Sequence, residues 1–205
     1  MRLVCFDLGG VIIKICRDLR EAAAAAGVIL PEALPEAALV AMTTWSWRLQ
    51  RGETDPQTMA AEVARAAGGL LTAAQVEAIQ AAWLLEPYAG VAELVATLEA
   101  LGVATAVLSN TSPDHWEALR VLPAVRHTRH RFLSFELRAM KPEPEIYAAV
   151  ERHAGLSGAA IGFFDDTEAN VAAARGRGWR AAQVDHALPP APQIEAALCR
   201  WGVAL

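Results

Sequence analysis

The chain has 205 residues, 54% of them hydrophobic, and a formal net charge of −5 at pH 7. That length allows one domain with a large core, or a core plus a small inserted subdomain. The acidic balance argues against a nucleic-acid partner, whose phosphates need a cationic face, and no run approaches the ~18 apolar residues that would cross a membrane.

The opening MRLVCFDLGG places an acid after four apolar residues. It is too short for the apolar stretch of a signal peptide and reads as a first strand, Leu3 to Leu8. From residue 16 to residue 87 no strand pattern appears, only Ala-rich helical segments separated by Pro31, Pro35, Gly52, Pro56 and the Gly68-Gly69 pair. Roughly 70 residues are too many for one crossover helix, so this stretch is expected to form an all-helical inserted subdomain. Trp45, Trp47, Trp83, Leu70 and Leu71 give it something to bury. Residues 1–15 and 88–205 then form the core.

Beyond the insert, short apolar runs alternate with helical patterns. Val91 to Leu101 is a helix stopped by Gly102, and strands follow at Val103 to Ser109 and Phe132 to Glu136. Between those strands the basic run Arg126 to Arg131 reads as a solvated surface loop. Pro144 to Ala154 is a helix, Ile161 to Asp165 a strand, Glu168 to Arg177 a helix ending at Gly178, Arg180 to Val184 a strand, and Gln193 to Trp201 a final helix. The strands are apolar nearly throughout, as strands buried on both faces are, which predicts a Rossmann-like α/β core around a parallel sheet. Cys5, Cys16 and Cys199 share no metal-ligand spacing, and reduced thiols in a cytoplasmic setting are the simplest expectation.

Open α/β sheets bind ligands beyond the carboxyl ends of their strands. Those ends carry Asp7 in FDLGG, Ser109 and Asn110 in VLSNTS, Lys141 in MKPEPEIY, and Asp165 and Asp166 in FFDDTEAN. Singly, each is an ordinary turn or capping residue. Together they bring three carboxylates, a hydroxyl, an amide and an ammonium to one rim. Two carboxylates from different strands suit a hard divalent cation such as Mg²⁺, Lys141 balances remaining charge, and Ser109 and Asn110 can donate to phosphoryl oxygens.

These residues, in this order, resemble the four motifs of the haloacid dehalogenase-like hydrolase superfamily, and the helical insert after the first motif resembles its C1 cap. Within that superfamily, FDLGGVI, LSNT and FFDD are similar to a bacterial α-D-glucose-1-phosphate phosphatase-like branch. The resemblance implies a Mg²⁺-dependent phosphatase acting on a small phosphorylated metabolite, a sugar phosphate foremost. Asp7 would be the nucleophile, forming an aspartyl-phosphate. Mg²⁺ would be held by Asp7, the Gly9 backbone carbonyl and Asp166, with Asp165 close by. Ser109 and Asn110 would bind phosphate, Lys141 would bridge nucleophile and phosphoryl oxygens, and Asn170, one helical turn past Asp166, would support them.

Gly9 departs from the pattern, because most family phosphatases carry there the Asp that protonates the leaving group. Such assistance is worth about 10²–10⁴-fold. A slow or purely binding relative is therefore an alternative reading, and a 2-haloacid dehalogenase another, although the acid pair at residues 165 and 166 speaks against the second. Relatives with such caps use them for substrate contacts, and the candidates here are Trp47, Arg48 and Arg51. Trp45 and Trp47, two apart, cannot share a helical face, so one is expected in the cap core and the other toward the cleft. An arginine of this segment, Arg48 or Arg51, is expected to meet a second anionic group, and His115 to be a surface or capping residue.

Overall fold

Strand β1 (Leu3–Phe6) is buried along its whole length because helices cover both faces of the sheet it centres. The computed structural model describes residues 1–205 and contains a five-stranded parallel sheet of order β5-β4-β1-β6-β7. Here β4 is Ala104–Ser109, β5 is His130–Leu133, β6 is Ile161–Asp165 and β7 is Arg180–Gln183. Successive side chains of a strand face opposite ways. Val4 and Phe6 accordingly enter one hydrophobic cluster with Val107, Phe164, Leu94 and Ile194, while Leu3 and Cys5 enter a second with Phe163, Tyr147 and Trp179.

Chain order reverses beside β1. The chain moves from β1 outward to β4 and β5, then returns to pair β6 against the other edge of β1. Such a switch point opens a crevice at the carboxyl ends of the two central strands, and Phe6 and Phe164 are the paired residues at that end.

Between β2 (Ile13–Ile15) and β3 (Leu84–Pro87), which pair antiparallel, lie α1 (Leu19–Ala25), α2 (Glu36–Gln50), α3 (Pro56–Ala66) and α4 (Ala73–Ala81). Local signals start three of them: Asp18 caps α1 and Asp55 caps α3 through side-chain acceptance from Glu21 N and Thr58 N, and Thr72 with Gln75 forms a capping box on α4. Leu49, Met59, Val63, Leu71 and Val76 form a separate small core for this segment, with Trp45 packed on it.

Some expected boundaries shift. Residues 16–87 were expected to hold no strand, yet β3 lies there; four partly exposed residues leave no readable periodicity. The first strand ends at Phe6 rather than Leu8, because the backbone turns at once into a loop where Val11, Ile12 and Ile13 N–H groups all donate to the Leu8 carbonyl. The strand expected over residues 132–136 begins at His130 and gives way to the helical turn α8 (Ser134–Leu137).

Helix α5 (Val91–Ala100) and α9 (Pro144–Ala154) stand where the periodicity puts them, and α10 (Glu168–Gly176) ends one residue early. The short α6 (Pro113–Leu119) and α7 (Pro123–His127) join β4 to β5, and the basic run, largely exposed as expected, is not a loop throughout but closes α7 and opens β5. The last helix, α11 (Pro190–Arg200), starts earlier than expected, since proline is accommodated in a helix's first turn. No helix is long and apolar enough to cross a membrane.

Candidate active site

Asp7 leaves the end of β1 with its N–H still paired to the Phe164 carbonyl at 2.9 Å, so the sheet itself fixes the side chain's position. Its Oδ1 accepts from Leu8 N–H at 2.7 Å and lies 2.9 Å from Lys141 Nζ. Lys141 is only 4% exposed, and its ammonium also meets Asp165 Oδ2 at 2.6 Å. Asp165, fully buried at the end of β6, further accepts from Thr167 N–H at 2.8 Å and from Asn170 Nδ2 at 3.0 and 3.1 Å. Asn170 is held in turn by the Tyr147 hydroxyl, which donates to its carbonyl at 3.0 Å.

The carboxylates of Asp7, Asp165 and Asp166 offer oxygens that all lie within 4.8 Å of one another. Asp166 faces outward beside His186 Nδ1 at 3.3 Å and Arg17 at 4.0 Å. Gly10 allows this closeness. Its φ is +73°, and a Cβ there would stand 2.3 Å from Asp166 Oδ2, so conformation and space both require glycine.

Three carboxylates against one ammonium leave excess negative charge in a buried place. Burial, reinforced by the Asp165 charge, pushes Asp7 up to about 7 against the opposing pull of Lys141 and the Ser109 hydroxyl. Burial and Asp165 likewise raise Asp166, opposed by His186 and Lys141. For Lys141 burial acts downward, but the flanking Asp165 and Asp7 charges outweigh it and hold its pKa above the ordinary value. A hard divalent cation between the carboxylates would relieve this excess, and an all-oxygen donor set suits Mg²⁺. Because Asp165 already uses its oxygens on Lys141, Thr167 and Asn170, Asp7 and Asp166 are the better-placed ligands, with Asp165 bound to the lysine rather than acting as their equal.

The structure brings together Asp7, Ser109, Lys141, Asp165, Asp166 and Asn170. Asn110 takes a different role from the phosphate contact expected of it: its Oδ1 accepts from Lys141 N–H at 2.8 Å and its Nδ2 donates to the Lys141 carbonyl at 2.9 Å. This two-point clamp aims the lysine. Ser109 is buried beside Asp7, and Thr111, two residues on, is buried too and lines the cleft. Gly9 also lines the cleft, and a Cβ on it would lie 3.0 Å from Ile15 Cδ1.

A cleft of about 550 Å³ runs between these strand ends and helices α2 and α4. Trp47 lines it while Trp45 packs inside the helical segment. The two arginines do not line it. Arg51 pairs with Glu143, whose other oxygen accepts from Met140 N–H at 3.0 Å, so it braces the loop carrying Lys141. Arg48 lies over the Trp45 ring at 4.3 Å and 3.9 Å from Glu53. His115, expected as a surface or capping residue, lines the cleft, and its Nε2 lies 2.7 Å from the Gln80 carbonyl in the last turn of α4, a capping contact. In sequence His186, like the other histidines, lacks the paired helical spacing of a metal ligand and is set aside, yet it stands beside Asp166. It follows β7, and the strand-end rule that selected Asp7 and Asp166 would have found it there.

Residues 1–178 match the family described as haloacid dehalogenase-like hydrolases. Among solved structures, a haloacid dehalogenase family enzyme from Bacteroides thetaiotaomicron superposes with a TM-score of 0.81 at 22% identity, covering 95% of this chain and 98% of that one. The same enzyme has also been solved in complex with magnesium and inorganic phosphate (TM-score 0.73, 20% identity, 92% and 96% covered). A predicted hydrolase of this family from Porphyromonas gingivalis gives 0.79 at 25% identity over 97% and 98%. An L-2-haloacid dehalogenase from Xanthobacter autotrophicus gives 0.61 at 25% identity over 90% and 77%. No curated protein sequence matches the chain.

Proposed function

The chain belongs to the haloacid dehalogenase-like hydrolase family, and from that premise we propose that it is a Mg²⁺-dependent phosphatase. Its substrate is a small phosphate monoester, and Asp7 is the nucleophile. The observation that carries this reading is the juxtaposition of the Asp7 and Asp166 carboxylates, from two strands, with Lys141 seated between Asp7 and Asp165. The magnesium and phosphate complex of the Bacteroides enzyme supports it by likeness. Three carboxylates against one lysine would repel the carboxylate of a 2-haloacid, which weighs against dehalogenation.

In this reading residues 16–87 act as a cap over a core made of residues 1–15 and 88–205. The Asp7 carboxylate attacks phosphorus in line as the ester P–O bond breaks, giving an aspartyl-phosphate; water then releases inorganic phosphate and regenerates Asp7. Lys141, held by the Asn110 clamp, keeps the nucleophile oriented and meets the phosphoryl oxygens, and Ser109 donates to them. A bound Mg²⁺ on Asp7 and Asp166, with the Gly9 carbonyl, supplies charge neutralisation. Three free cysteines, two of them buried, fit the reducing cytoplasm.

p-Nitrophenyl phosphate tests the reading, since its phenolate leaves unprotonated and Gly9 is no handicap. Turnover is expected only with Mg²⁺ and is lost in Asp7→Asn. Mg²⁺-independent turnover, or turnover surviving in Asp7→Asn, would sink the assignment. So would silence toward every phosphate ester, which would leave the binding-protein reading.

A further inference from the structure

We propose that the alcohol released from the substrate is uncharged and apolar, of the aryl kind, rather than a sugar or nucleoside. This rests on the phosphatase reading and deepens it. Four observations lead there.

The cleft is of a size that takes a drug-sized organic group, and 13 of its 22 lining residues are hydrophobic. No Lys, Arg, Asp or Glu lines it; the cations nearby are engaged elsewhere, Arg51 with Glu143, Arg48 with Trp45 and Glu53, Arg17 beside Asp166. Nothing is therefore free to pair a second phosphate or carboxylate. Most polar groups above the cleft floor are already bonded within the protein, the Gln80 side-chain amide being the exception. Thr43 Oγ1 donates to the Leu39 carbonyl at 3.2 Å, Gln50 Nε2 to Ser46 Oγ at 3.2 Å, and His115 meets the Gln80 carbonyl at 2.7 Å. A ring of sugar hydroxyls would be buried against Trp47, Ile79 and Trp83 with few partners, and each unpartnered polar group disfavours binding.

The fourth observation concerns the leaving oxygen. Gly9 offers no proton, and the space a side chain there would enter borders Ile15, so an apolar contact stands beside the nucleophile's loop. When the P–O bond breaks, its electron pair goes to the leaving oxygen as the Asp7–phosphorus bond forms. With no acid from this loop, an oxygen stable as an anion departs fastest and takes its proton from solvent. A phenol-type oxygen meets that requirement and its ring fits the aromatic walls; an ordinary sugar alcohol meets neither.

The test compares kcat/KM with Mg²⁺ for 2-naphthyl phosphate, glucose 1-phosphate, glucose 6-phosphate and acetyl phosphate, whose small leaving group reaches little of the cleft. The naphthyl ester is expected to exceed both sugar phosphates by about 100-fold. In Trp47→Ala, whose side chain is exposed enough for safe removal, the naphthyl-to-acetyl ratio of kcat/KM is expected to fall about tenfold. A sugar phosphate preferred over the naphthyl ester, with acetyl phosphate turned over, overturns this inference and leaves the phosphatase intact. An unchanged ratio in Trp47→Ala overturns it too. No turnover of any of the four, acetyl phosphate included, removes the phosphatase reading and this inference with it.

Discussion

Lys141 is where the site's electrostatics concentrate, since one buried ammonium is within 2.9 Å of Asp7 and 2.6 Å of Asp165. Removing one partner of a buried ion pair typically costs about 3–5 kcal/mol. Lys141→Met is expected to destabilise the metal-free protein by that order in urea unfolding, and to abolish turnover. The Asn110 clamp acts one step further out. Asn110→Ala is expected to lower kcat about tenfold, with KM within about twofold because the amide already serves the Lys141 backbone. A large rise in KM instead would return Asn110 to phosphate binding. Burial holds the Asp7 carboxyl at about 7 when no cation is bound, and a cation needs it ionised. Mg²⁺ affinity should therefore rise about tenfold between about pH 6 and about pH 8 and then level off. Calorimetric titration at the two values checks it, and equal affinities would contradict the assignment of Asp7 as ligand.

Among the elements, α9 shows how a helix far from the nucleophile holds the frame. Glu151 near its end accepts from Arg177 Nε at 3.0 Å and Trp179 Nε1 at 2.9 Å, tying α9 to the turn that launches β7. The Arg177 hydrogen bond, aided by Trp179, holds the Glu151 carboxyl below its usual value despite partial burial. A depressed folded-state pKa means the stabilisation is full above the unfolded carboxyl's value and disappears as pH falls through the folded one. Glu151→Gln is expected to destabilise by about 1–2 kcal/mol at neutral pH. The difference should begin to shrink below about pH 4 and vanish only once the pH passes below the depressed folded-state value, as paired urea melts would show. At α2 the contact with the core is set by Gly52, whose φ is +66° and whose added Cβ would meet the Phe135 carbonyl at 2.5 Å. The Arg51–Glu143 pair beside it explains why that arginine is not available to a ligand.

At the scale of the whole molecule, the reversal of strand order beside β1 makes the crevice, and the helical segment roofs it. The parallel core was legible in the sequence, and so were the ends of β4 at Ser109 and β6 at Asp165, whereas the first and third strands were expected to run past Phe6 and Leu133. Apolar runs of four to six residues have one stable placement between two helical layers, and the residue that follows such a strand must emerge at the rim. Asp7, Ser109, Asp165 and Asp166 follow that logic, whereas Lys141 lies well past the end of β5, beyond α8, and was singled out by its Lys-Pro pair. Tertiary structure decided the aim of side chains carried on helices and the partners of groups that could serve several. Arg51 found Glu143, 92 residues away; Asn110 found the Lys141 backbone, 31 away; His115 found a carbonyl of α4; and β3 formed only because β2 lay alongside it. A strand's direction follows from its own local period, whereas a hydrogen-bonding side chain takes whichever distant neighbour the packing delivers.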